Sequence, residues 1–92
     1  MSKPFDMEFF LKGALTGSHA SRQRHIRQAK TIQAAINDRW HLNNPWYWQQ
    51  KHLTWILNKH LNKKAQSTRY YYFLTARLII LRLGKSWPLY IK

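Results

Sequence analysis

Cysteine is absent from this chain, which excludes a disulfide framework and any thiolate metal site and fits a reducing compartment. Acidic residues are nearly absent as well. Asp6, Glu8 and Asp38 are the only three, against 16 Lys and Arg, for a net charge of +13. Asp6 and Glu8 belong to a peripheral N-terminal segment and Asp38 stands alone, so no carboxylate pair is available for general acid–base work. The three glycines, Gly13, Gly17 and Gly84, are isolated and form no phosphate-cradling loop. No apolar run approaches the roughly 18 residues of a membrane-spanning helix, and Arg77 and Arg82 interrupt the best candidate. The opening MSKPFDMEFF carries acids where a secretory signal would be basic. These absences point to a cytoplasmic protein (nucleoid-associated in a bacterium) with no membrane partner. Five histidines, at 19, 25, 41, 52 and 60, never fall three or four apart, so neither metal nor other cofactor is expected. His52 and His60 read as helix-surface or boundary residues whose protonation would add to the positive field. The chain reads as a non-enzyme.

What is abundant is positive charge, in a chain of 92 residues that suits a single domain with one modest core. From Arg39 onward there are ten basic residues and no acid. Such an imbalance destabilises a compact fold by self-repulsion, so a polyanion is the natural partner.

Helix signals divide the chain into an all-α, compact bundle of four principal helices, with room for a short extra helix at the N-terminus. Residues 1–17 form an N-terminal lid, with Pro4 and the acids Asp6 and Glu8 near a helix start and Phe5, Phe9 and Phe10 to bury. Ser18 or Ser21 caps a second helix running to about Trp40 or Leu42. Its apolar stripe is Ile26, Ala29, Ile32, Ile36 and Trp40. Asn44 and Pro45 open a third helix reaching Leu61, with Trp46, Leu53, Ile56, Leu57 and Leu61 turned to the core. Trp48 and Trp55 point the other way, beside Lys51, His52 and Lys59, under Phe9, Phe10 or the C-terminal tail.

The organising stretch is Ser67 to Gly84, with Ser67 as N-cap and Gly84 as a left-handed C-cap. At about 100° per residue, Tyr70, Phe73, Leu74, Arg77, Ile80 and Leu81 share the wide buried face. Thr68, Tyr71, Tyr72, Thr75 and Arg82 form the thin strip left for a partner. Arg77 then packs its stem in the core and sends its head to the rim or to Asp38. The tail, residues 85–92, turns at Pro88 and folds back with Trp87, Leu89, Tyr90 and Ile91.

Two basic regions stand out. The outer face of the second helix carries Gln23, Arg24, Arg27, Lys30, Thr31 and Ala34, a cationic surface whose small members allow close approach to phosphates. The loop through Lys63 and Lys64 leads into the last helix, whose N-terminal partial charge favours an anion.

Residues from about His25 to Trp87 resemble the core-binding domain of tyrosine recombinases, the SAM-like integrase N-terminal module. The resemblance rests on Trp40, then His52-Leu53-Thr54-Trp55-Ile56-Leu57. It continues through Gln66-Ser67-Thr68, Leu74 and Arg77, with a Thr68-to-Arg77 interval of nine, and closes on Leu83-Gly84. It implies a helical DNA-gripping module whose second and fourth helices lie near the major groove. Arg24, Arg27, Lys30 and Thr31 would stand near DNA, with Lys63, Lys64, Ser67, Thr68, Arg69 and Tyr72 completing the contact. The catalytic domain of that family has no counterpart here, which implies the grip without strand cleavage, as in an accessory or regulatory factor of a mobile element.

The expectation is therefore a non-enzymatic, double-stranded DNA-binding protein. Two alternatives stand beside it. One is an RNA or single-stranded nucleic-acid binder that stacks bases on Trp48, Trp55 and Tyr70-Tyr71-Tyr72. The other is a protein-interaction adaptor that docks through exposed aromatics.

Overall fold

Capping chemistry sets the helix boundaries, as the computed structural model of residues 5–89 shows. Helix α1 (Met7–Leu11) starts where Asp6 accepts the Phe9 N–H at 3.0 Å. Helix α2 (His19–Trp40) starts where Ser18 Oγ accepts the Ser21 N–H at 3.2 Å. A 3₁₀ turn, Pro45–Tyr47, precedes α3 (Gln50–Trp55), which runs directly into a π turn, Ile56–His60. Helix α4 (Gln66–Leu83) closes on Gly84 at φ 73°. There the Gly84 N–H reaches Leu81 O and the Lys85 N–H reaches Ile80 O, the paired bonds of a Schellman cap. The fold is all-α, and no strand occurs among the described residues. The short N-terminal helix is one of the four α-helices among the described residues, not an addition to them. Pro4, Tyr90 and Ile91, used in the sequence reading, lie outside the described residues.

The core gathers Met7, Phe10 and Leu11 from α1, Ala29, Ile32 and Ile36 from α2, and Leu53, Ile56, Leu57 and Leu61 from the third segment. Helix α4 adds Ala76, Ile79, Ile80 and Leu83. The predicted α2 stripe is correct throughout, with Trp40 at its half-buried end. The lid docks as expected: Gln33 Nε2 donates to Phe5 O at 2.9 Å and Asn43 O at 2.7 Å, and Arg82 Nε donates to Phe10 O at 2.8 Å. Phe9 departs from it at 73% exposed. The tail also folds back, where Gln50 Nε2 donates to Pro88 O at 2.7 Å.

The third segment is not one helix. Trp48 and Gln49 are extended (ψ 155° and 168°), which breaks the helix that Asn44 and Pro45 begin. Burial of Trp48 accounts for the break. Its ring is 3% exposed, the reverse of the outward placement expected, and its indole N–H reaches Leu42 O at 2.7 Å. Trp46, expected in the core, is 50% exposed. A buried indole needs a partner for its N–H, and satisfying it outweighs one more turn of helix. The π turn, closed by Leu61 N–H to Ile56 O at 3.0 Å, adds a residue to the last turn and still leaves Leu61 inside.

Helix α4 is turned about its axis relative to expectation. Thr75 and Ala76 are fully buried, whereas Arg77 and Leu81 face solvent. Arg77 lies over the Phe73 ring at 5.9 Å and forms no ion pair with Asp38. Its start is also shifted: Ala65 is the N-cap, with no side-chain cap bond, and Ser67 sits one residue inside.

Helix α2 ends at His41 in the left-handed region, φ 58° and ψ 39°, with its N–H on Asn37 O. An exposed L-residue is strained there, so His41→Gly should gain a net 0.5–1 kcal/mol, roughly, after the added freedom of the unfolded chain. The check is a higher urea midpoint with unchanged slope; a lower midpoint would mean the imidazole contributes more than the strain costs.

Candidate nucleic-acid interface

The start of α4 offers amide N–H groups with no side chain folded over them. Lys63, Lys64 and Ser67 beside it are exposed, as are Lys59 and His60 just before the loop. Thr68 and Arg69 are half-buried, and an Arg69 guanidinium nitrogen lies 3.4 Å from Leu57 O. Arg69 thus ties the first turn of α4 to the third segment, and its charge stays at the edge of the site. Tyr72 is half-buried against the core, which leaves little of its ring for a partner.

On α2, Arg27, Lys30 and Thr31 are exposed. They line a shallow groove with Gln23, Ile26, Ala34 and Glu8 of α1. Glu8 subtracts from the potential on that side, so the two basic regions are unequal. The α4 end has no acid near it in sequence, while the α2 face has one across the groove. Arg24 joins the two regions. Its guanidinium lies 4.4 Å from the centroid of the Tyr71 ring, and its Nε is buried without a hydrogen-bond partner among the described residues. Stacking of this kind holds the cation in place while leaving its outer edge able to bind.

Sequence reasoning missed the device that aligns these helices. Thr75 Oγ1 donates to Gln28 Oε1 at 2.8 Å, with Tyr71 O a longer second acceptor at 3.2 Å. His25 Nδ1 lies 2.7 Å from the same oxygen. Thr75 has one proton, directed at Gln28, so the imidazole supplies the other. A threonine on one helix with glutamine and histidine on its neighbour was the available signal. Periodicity alone, which sorted Thr75 with the polar strip, could not show it.

His52 is likewise misplaced by the sequence reading: it is 2% exposed, with its ring 4.6 Å from that of Trp40. Its Nδ1 accepts the Gln49 N–H at 2.8 Å, which requires that nitrogen to be unprotonated. Trp55 is half-buried, 5.1 Å from Trp40 and 5.2 Å from His60. Arg39 lies over both Trp40 and Trp55 at 4.9 and 5.2 Å.

Among the described residues no group of three or more potential ligands could hold a metal ion, and no helix is long and apolar enough to cross a membrane. Comparison with protein-family models, with curated proteins and with solved structures finds no match for the chain.

Burial first, and the charge of Lys51 second, lower the pKa of His52 below its ordinary 6.5. Burial and Arg24 do the same for His25. The unfolded chain therefore takes up protons before the folded one. Stability is complete above 6.5 and is lost as pH falls below it. The thermal midpoint should drop between about pH 7.5 and 5. His52→Gln, whose amide oxygen can accept the Gln49 N–H, should remove part of that drop. A midpoint unchanged over the window would contradict a neutral, accepting His52.

Proposed function

We propose that the chain binds double-stranded DNA without catalysing a reaction on it. The observation that carries this reading is the cationic surface at the start of α4. Exposed Lys59, Lys63, Lys64 and Ser67 flank an uncapped helix end, Arg24 on Tyr71 links it to Arg27, Lys30 and Thr31, and no acid follows Asp38 in the chain. Lysine ammonium groups and free amide N–H groups are the chemistry that holds phosphate oxygens. Thr68 and Arg69 border this surface, and Tyr72 adds only its exposed edge. The likeness to the recombinase core-binding module supports a duplex as the polyanion, with the second and fourth helices toward the major groove. A cytoplasmic accessory or regulatory factor of a mobile element is the role this suits.

The charge is not confined to that surface. Lys12, Arg39, Lys51, Arg77, Arg82 and Lys85 are exposed elsewhere. They add to the long-range attraction without joining the contact, so affinity and steering have separate sources.

A second reading, binding of RNA or single strands, draws on Trp46 and Tyr47, which are 50% and 69% exposed. Arg82 lies 5.2 Å from the Trp46 ring. Exposed rings beside a cation can stack bases. Of the rings expected to stack bases, Trp48 is buried and Trp55 and Tyr72 are half-buried, which weakens it, while Tyr70 and Tyr71 are 51% and 39% exposed.

With about six phosphate contacts, duplex affinity should fall roughly a thousandfold between about 50 and 200 mM salt. Changing Lys63 and Lys64 together to Glu should weaken binding to every duplex alike and flatten the salt slope by about two. Glu8→Gln should strengthen binding modestly by relieving the groove beside Arg27 and Lys30. A salt-independent affinity, or one stronger for single strands and lost with Trp46→Ala, would overturn the duplex reading.

A further inference from the structure

The flank of α4 turned away from the core is apolar and uncovered. Tyr70 is 51% and Leu81 66% exposed, with Leu74 and Leu78 half-buried between them. Tyr70, Leu74, Arg77 and Leu81 follow at alternating steps of four and three, a seam about 16 Å long at 1.5 Å per residue. Beside it runs an open groove of about 340 Å³, bordered by Leu74, Arg77, Leu78 and Leu81 on α4 and by Thr16 and His25 across from them. A seam with this spacing is the surface one helix presents to another.

Charge decides which helix. Arg77 stands exposed in the middle of the seam, its guanidinium over Phe73, and it meets no carboxylate among the described residues. The three acids of the chain are Asp6, Glu8 and Asp38, and none lies on α4. A second copy of this chain would set cation against cation and +13 against +13, so self-association is opposed. We propose that this flank is the docking groove for an acidic amphipathic helix of a partner protein. Its leucine-type side chains enter between Leu74, Leu78 and Leu81, and a Glu or Asp about one turn along pairs with Arg77. The inference does not rest on the nucleic-acid reading, because the seam and the basic start of α4 are different parts of the helix.

The test uses the full chain and a dye-labelled helical peptide with leucines at alternating steps of three and four, flanked by glutamates. Its scrambled isomer and its lysine-for-glutamate counterpart are the controls. Fluorescence anisotropy should show the ordered glutamate peptide binding at least about tenfold tighter than the scramble. Leu81→Ser, a change at an exposed position, should weaken it about tenfold while leaving duplex DNA affinity unchanged. Arg77→Glu should switch preference to the lysine peptide. Equal binding of the scramble would reduce the effect to bulk charge attraction and overturn the proposal, as would no binding at all. A Leu81-dependent dimer in sedimentation would overturn it in favour of a second copy. Leu81-dependent uptake onto vesicles of phosphatidylcholine and phosphatidylglycerol would overturn it in favour of a membrane surface.

Discussion

A single buried hydroxyl sets how the longest apolar helix of this protein is turned. Thr75 is fully buried and holds Gln28 and His25 of α2 at 2.8 and 2.7 Å. A rotation that took Thr75 away would leave Gln28 without the hydroxyl it accepts from, at a cost of about 1–3 kcal/mol. The polar triad therefore selects among packings that hydrophobicity alone would leave nearly equal. Arg24 over Tyr71, one turn toward the N-terminus of α4 from Thr75, follows from the same rotation.

That rotation explains which parts of the fold were legible in the sequence. Two caps with short polar side chains were legible: Ser18, one of two candidates for α2, and Asn44 each bind an amide two or three residues on, whereas Ser67 lies inside α4 and caps nothing. Gly84 was read correctly for the same local reason. The α2 stripe was legible because isoleucines and alanines recur there at helical spacing on an otherwise polar helix. Helix α4 was not, because apolar residues occupy nearly its whole circumference and no period singles out one face. Periodicity then favoured the arc with the largest side chains, Tyr70, Phe73, Leu74 and Leu81. The structure buries Thr75, Ala76, Ile79, Ile80 and Leu83, so of the expected face only Ile80 is buried.

The segment from Pro45 to His60 fails differently. Its local signals for a helix are sound at both ends, yet the burial of Trp48 breaks it and a capping box between Gln49 and His52 restarts it. Trp48 turns inward to give its N–H to Leu42 O, and His52 turns inward to accept from Gln49. Both aromatics were assigned outward because a continuous helix would place them there. Of the candidate interface, the exposed lysines and the α2 face could be anticipated from charge alone. The inward bend of Arg69 toward Leu57 O and the part-burial of Tyr72 depend on packing that no local pattern encodes.

One helix thus presents two unlike surfaces, a cationic start suited to phosphates and an apolar flank suited to another protein. Both depend on the orientation fixed at Thr75. Amide shifts of the isotope-labelled chain, followed by NMR during titration with duplex DNA, test this division most directly. The account predicts changes concentrated at 63–69 and 24–31, with 77–81 unmoved. Changes centred on 77–81, or spread evenly over the surface, would contradict it.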